Sequence, residues 1–116
     1  MSGLQTLSEG KRMTGKEGYM AGVGKLGSGD LDGAIADFKK ALEADSAFYM
    51  AHLGLAQALD RQGKVDQAIE QVKKAIDMAP DEALAHTSLS RLYQQKGMIP
   101  EAEEEMAISQ RLSALG

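Results

Sequence analysis

The feature that most limits what this chain can fold into is its agreement with itself after a shift of 34 residues. Under that shift Gly29, Gly63 and Gly97 coincide, as do Ala34, Ala68 and Ala102, and then Phe38, Val72 and Met106. Ala41, Ala75 and Ser109 align as well, with His52 on His86, Leu55 on Leu89 and Leu59 on Tyr93. A fixed period of this length means that one supersecondary unit is built several times and stacked on itself. The register gives three units, residues 15–48, 49–82 and 83–116, preceded by an extension over residues 1–14 that is expected to be a tail or a short helix.

Each unit reads as two helices. In the middle one Leu55, Ala56 and Leu59 make one apolar stripe, and Val65, Ala68, Ile69, Val72, Ala75 and Ile76 make a second at helical spacing. Gly63 stands where the first helix must stop and a left-handed residue costs least. Pro80 blocks continuation of the second helix, Asp81 is placed to cap the next, and Ser46 is placed to do so one unit earlier. Pro100 falls in the first turn of the last helix, where a missing N–H costs little. Gly22, Ala56 and Ser90 are set against Ala34, Ala68 and Ala102, so paired helices can come close. Aromatic residues are 4% of the chain, and Ala, Leu, Gln, Glu and Lys dominate from Leu31 onward, which is a helix-forming composition. The expected fold class is all-α, one antiparallel helix hairpin used three times.

These residues resemble the tetratricopeptide repeat (TPR) family. Its pattern of large residue, Leu, small residue, aromatic or Leu, Gly, Ala, apolar, Ala and Pro is met in the middle unit by His52, Leu55, Ala56, Leu59, Gly63, Ala68, Val72, Ala75 and Pro80. The resemblance covers about residues 15–116. It departs from the pattern where the usual Trp is Gly18, His52 or His86, and where the terminal Pro is kept only in the middle unit. What the resemblance implies is a right-handed superhelical solenoid, a non-enzymatic protein–protein interaction module or scaffold holding a peptide or helix in its concave groove. By the same resemblance the first helix of each unit lines that groove. This places there Lys16, Tyr19, Val23 and Leu26, then Met50, Leu53, Gln57 and Arg61, then Leu84, Thr87, Arg91, Gln94 and Gln95. The set is apolar along one side, with Arg61 and Arg91 as its firm cations, so the expected partner is an apolar or amphipathic protein or peptide. Some family members hold a C-terminal carboxylate with a clamp of Lys, Asn, Asn, Lys and Arg. The matching positions here are Tyr19, Val23, Gly54, Leu84 and Ser88, and none of them fits.

The run GVGKLGSG, Gly22 to Gly29, contains G-x-G-x-x-G with Lys25 placed as if to meet a phosphate. A dinucleotide loop needs a buried strand before it and a sheet beneath the following helix, and this chain offers neither. The phosphate-loop signature also fails, because Leu26 follows Lys25 where Ser or Thr is required. In register the run falls on the first helix of the first unit. There Gly18, Gly24 and Gly27 are off pattern and together cost that helix about 1.5–3 kcal/mol against Ala. We read them as substitutions tolerated at a terminal repeat, with close backbone approach or ordering by a partner as the alternative.

Nothing else in the chain makes a catalytic or ligand-binding constellation. With no cysteine, thiolate chemistry and disulfides are excluded. His52 and His86 are equivalent positions without a third clustered ligand and are expected to fill the seam between helices, so no metal and no cofactor is predicted. The formal charge of -4 with no basic cluster argues against nucleic acid. No small-molecule substrate and no membrane contact are expected, and the absence of a leader-like or spanning apolar run makes the cytoplasm the default location. The acidic run at Glu101, Glu103, Glu104 and Glu105 reads as a solvated face, and Lys39, Lys40, Glu43 and Glu70, Lys73, Lys74 as exposed helical ion pairs. A second functional class is self-assembly, as a dimer or a head-to-tail oligomer or filament. Ile108, Leu112 and Leu115 form a stripe on the last helix with no following helix in this sequence to cover it, and the end face they make can seek a second copy.

Overall fold

The computed structural model describes residues 13–116, which form six helices in series. They are α1 (Gly15–Gly27), α2 (Leu31–Ala44), α3 (Tyr49–Arg61), α4 (Val65–Met78), α5 (Ala83–Gln95) and α6 (Ile99–Leu115). The first helices of the three hairpins start at Gly15, Tyr49 and Ala83, so the sequence period reappears as a structural one. Each helix packs on its hairpin mate, and α2 on α3 and α4 on α5 carry the stack from one hairpin to the next. The fold is an all-α solenoid of three stacked antiparallel hairpins, with no strand among the described residues.

The turns inside the hairpins are set by Gly29, Gly63 and Gly97, whose φ values of 86°, 80° and 74° are the left-handed conformation that a side chain makes costly. The helix starts are less uniform. Thr14 and Glu17 form a reciprocal capping box on α1, each side chain accepting from the other's backbone N–H, and Asp30 accepts from Gly33 N at 3.0 Å to cap α2. Ser46 and Asp81 do not cap as expected. The helices begin later, after Phe48 and Glu82, neither of which makes a side-chain cap. In both connections a backbone bond closes the turn instead, Phe48 N to Asp45 O and Glu82 N to Ala79 O, each at 3.2 Å. Pro100 stands in the first turn of α6.

The core runs through the stack as one cluster, from Leu26, Ala34 and Phe38 through Leu53, Leu55, Leu59, Ala68 and Val72 to Ala85, Leu89 and Leu92. Its largest fully buried side chain is Phe38, at 0% exposure. A Cβ on Gly22 would lie 2.7 Å from that ring, and one on Gly54 would lie 2.5 Å from it. The ring is therefore held between two glycines, one on its own hairpin and one on the next. Gly18 is also constrained, since its Cβ would meet the backbone of Ala41 at 3.0 Å, whereas nothing lies within 4 Å of a Cβ on Gly24 or Gly27. The glycine-rich character of α1 thus divides. Gly18 reflects close approach of α2, contrary to reading it as a tolerated substitution, while Gly24 and Gly27 have no steric reason to be glycine.

A polar ladder joins successive hairpins at the C-terminal ends of their first helices. Arg61 Nη1 donates to Leu26 O at 3.0 Å, and one period later Gln95 Nε2 donates to Asp60 Oδ2 at 3.3 Å. Beside these, Gln62 Nε2 donates to Asp32 Oδ1 at 2.7 Å, and Lys96 pairs with Asp66 one period later. Asp32 and Asp66 sit in the first turns of α2 and α4, where a carboxylate is also favoured by the helix dipole.

Candidate functional site

The first helices α1, α3 and α5 together line a cavity of about 480 Å³. Its floor is core: Leu26, Phe38, Leu53, Val72 and Leu92 are all buried. Its rim is open, with Val23 at 44% and Leu84 at 55% exposure. Between the two lie Tyr19 and Met50, half-buried, and Gln57, exposed. This size is in the range of ligand clefts, and the lining is mostly apolar with a few convergent polar groups.

Of the residues expected in the groove, Tyr19, Val23, Leu26, Met50, Leu53, Gln57, Arg61, Leu84, Thr87 and Arg91 line this one cavity. Lys16, Gln94 and Gln95 do not, and Gln95 instead holds Asp60 in the ladder. Leu26 and Leu53 are core residues showing only their edges, at 6% and 9% exposure. The Thr87 hydroxyl is committed within the hairpin, 2.6 Å from Ser109 Oγ and donating to Ala83 O. Gly27 and Asp60 also line the cavity without being expected there, and so do Gly54 and Ser88, which the sequence marks only as clamp positions. Helical spacing carries that signal for Asp60, which stands three residues after Gln57 and one period after Leu26.

The two cations differ in state. Arg61 is tied to the carbonyl end of α1, donating to Leu26 O, which also accepts from Gly29 N at 3.2 Å. Arg91 is exposed and has no carboxylate within ion-pair distance among the described residues. The tyrosine at the start of α3, Tyr49, has its hydroxyl pushed above the usual phenol range by partial burial and then by the charge of Glu82.

Lys25 does not wait for a phosphate. The glycine run is helix α1, and Lys25 Nζ lies 2.8 Å from Asp37 Oδ2, whose side chain is 5% exposed. The contact is an ion pair, and Asp37 Oδ2 has no other polar partner. Asp37 and, more weakly, Asp30 hold the Lys25 ammonium above its ordinary range. The reason is in the register. Gln71 and Glu105, one and two periods after Asp37, accept from His52 Nδ1 at 2.9 Å and His86 Nδ1 at 2.8 Å. The first unit has Gly18 in place of histidine, and Lys25, where Leu59 and Tyr93 stand in the other units, reaches across to Asp37 instead.

The histidines occupy the seam between helices. Each has its second ring nitrogen against a backbone carbonyl, Ser46 O at 3.4 Å and Pro80 O at 3.0 Å. Glu105 turns inward to His86 and is thus not part of a solvated face, unlike its neighbours in the acidic run. The helical ion pairs expected among Lys39, Lys40, Glu43, Glu70, Lys73 and Lys74 do not close, because in water such pairs gain too little to hold two long side chains in place. On the last helix Ile108 and Leu112 are half-buried within the chain, and Leu115 is 85% exposed. No cluster of potential metal ligands occurs among the described residues, and no helix among them is long and apolar enough to cross a membrane.

The family model for the tetratricopeptide repeat matches residues 25–92 and 61–109. The chain belongs to the tetratricopeptide repeat family. Solved TPR structures align with it closely. A crystal structure of MamA superposes with a TM-score of 0.85 at 22% identity, covering 90% of this chain and 61% of that one. The second TPR of Spaghetti (RPAP3), bound to the HSP90 peptide SRMEEVD, gives 0.82 at 18% identity over 90% of this chain and 97% of that one. The type III secretion translocator chaperone SycD of Yersinia enterocolitica, in an alternative dimer, gives 0.82 at 24% identity over 86% and 76%. The chain therefore spans less than two thirds of the MamA chain it matches. No curated protein sequence matches it.

Proposed function

We propose that this TPR protein is a non-enzymatic interaction module that binds a segment of another protein in the groove formed by α1, α3 and α5. The observation that carries this reading is the single cavity across all three helices, with a buried apolar floor and an exposed apolar rim at Val23 and Leu84. A TPR of the same fold holds a peptide, and another is a chaperone for translocators, so the fold accommodates such partners. The five positions that would form a carboxylate clamp are Tyr19, Val23, Gly54, Leu84 and Ser88. All five line the cavity, and none carries a positive charge or a side-chain amide. A terminal carboxylate is thus not the feature this groove selects. The test compares partners retained from an extract of the source cells by wild type, by Val23→Glu with Leu84→Glu, and by the opposite-face control Lys39→Glu with Lys74→Glu. Partners lost with the first pair and kept with the second support the groove, and the reverse pattern refutes it.

Self-assembly through the last helix is the second reading, favoured by Leu115 and by Ile99 at 48% exposure on the same helix. The polar ladder speaks against a head-to-tail form in the repeat register. Pro100 stands where Asp32 and Asp66 accept, and Gly27 and Ser28 stand where Arg61 and Gln62 donate. A dimer across the same face of two copies needs no such ladder. Light scattering over a range of concentrations, on wild type and on Leu112→Glu with Leu115→Glu, decides it. A concentration-dependent mass abolished by the double variant supports assembly, and a constant monomer mass removes it.

A further inference from the structure

The groove is not uniform along its helices. The N-terminal halves of α3 and α5 present Met50, Leu53 and Leu84 to it, continuous with Tyr19 of α1, one period before Leu53. Their C-terminal halves present Gln57, Asp60, Arg61 and Arg91, with Val23 of α1 in register with Gln57 and Arg91. A chain laid across the three helices therefore meets an apolar strip on one side and a polar strip on the other. Within the polar strip the charges are already partly spoken for. Arg61 donates to Leu26 O, and Asp60 accepts from Gln95. Arg91 is left as an exposed cation without an ion pair among the described residues, in a chain whose formal charge is -4. A cation in a cleft with low-dielectric walls, on a molecule otherwise acidic, draws an anionic group to one place.

Resting on the groove reading, we infer that the preferred occupant is an amphipathic segment of another protein, with aliphatic side chains on the Tyr19–Met50–Leu84 strip and an Asp or Glu side chain at Arg91. Arg91 acts as the specificity determinant. The fork of its guanidinium suits a carboxylate held at two oxygens. The apolar strip supplies affinity for many sequences, and Arg91, the groove cation not held to a neighbouring helix, selects among them.

The experiment selects peptides from a random display library on the full chain and measures binding of the enriched synthetic peptides by fluorescence anisotropy. The inference expects enriched sequences that combine Leu, Ile or Met with an Asp or Glu at a fixed offset. It expects Arg91→Gln to weaken them about ten- to hundredfold, the range for losing one charge-assisted contact. Arg91→Glu should lose the acidic peptides and recover binding when the peptide's acid is changed to Lys. Leu84→Glu should abolish binding of every enriched peptide, with circular dichroism unchanged. Enriched peptides without acidic residues, or affinities indifferent to Arg91→Glu while Leu84→Glu still abolishes them, overturn the inference and leave the groove reading intact. Failure of a folded protein to enrich any peptide, or binding indifferent to Leu84→Glu, overturns the groove reading itself.

Discussion

Substituting Gly54 by Ala should destabilise this protein, although in most helices the same change stabilises. The added Cβ would sit 2.5 Å from Phe38 Cε1 and 2.6 Å from Cζ. Carbon atoms rest at about 3.5–4.0 Å, so the overlap is on the order of 1 Å. The ring cannot swing away, because Gly22 closes its other side with a Cβ position 2.7 Å away and the side chain has no exposed surface. Overpacking of this kind costs about 1–3 kcal/mol, against a gain of about 1 kcal/mol from replacing a helical glycine by Ala. The net expectation is a loss of roughly 0–2 kcal/mol. The decisive quantity is the coupling with Phe38. In a Phe38→Leu background the overlap is relieved and only the helix term remains, so Gly54→Ala should then stabilise by up to about 1 kcal/mol. The assay is urea unfolding of the four proteins of the cycle, followed by circular dichroism and by tyrosine fluorescence to check that the two transitions coincide. A coupling energy of about 1–3 kcal/mol is expected. If Gly54→Ala stabilises equally with Phe38 and with Leu at that position, the ring is not clasped between glycines and the account of the first junction is wrong.

Gly24→Ala with Gly27→Ala should stabilise the protein by about 1–2 kcal/mol in the same assay, because neither Cβ meets anything within 4 Å. Gly18→Ala should instead destabilise it, since Ala41 backbone stands 3.0 Å from the new atom, and a stability gain at that position refutes the close approach. Stability should fall at alkaline pH. The folded-state pKa of Lys25 is raised above 10.5 by Asp37, so its contribution is complete below that value and disappears as pH climbs through the folded pKa. The phenol of Tyr49, raised above 10.0, acts in the same direction, so the Lys25→Met variant should keep only the Tyr49 part of the alkaline loss in pH-dependent melting.

The period of 34 and the hairpin turns were legible because each is a local rule repeated in register. A left-handed glycine recurs three times, and apolar stripes recur beside it. The lining of the cavity followed from the family resemblance together with helical spacing, which orders side chains around an axis without measuring how deeply they sit. That is why Leu26 and Leu53, core residues, were placed beside truly exposed ones such as Leu84. The clasp of Phe38 was not legible, since it joins α2 to glycines on α1 and α3 and depends on volumes matched across a junction. The pairing of Lys25 with Asp37 had a signal that pattern matching passed over. Three register positions depart together in the first unit, Gly18 for histidine, Lys25 for a large apolar residue and Asp37 for Gln or Glu, and the structure links the last two directly. The missing caps at Ser46 and Asp81 show the opposite failure, a sound local preference overruled by a turn closed through backbone bonds.

The central claim is that a protein segment lies across α1, α3 and α5. It is tested most directly by nuclear magnetic resonance of the isotopically labelled protein titrated with a library-selected peptide. The account predicts that the amides and methyls shifting most belong to Val23, Met50, Leu53, Gln57, Leu84 and Arg91, in one contiguous band along the cavity. Shifts concentrated instead on α2, α4 or the exposed end of α6 around Leu115, with the cavity residues unmoved, would contradict it.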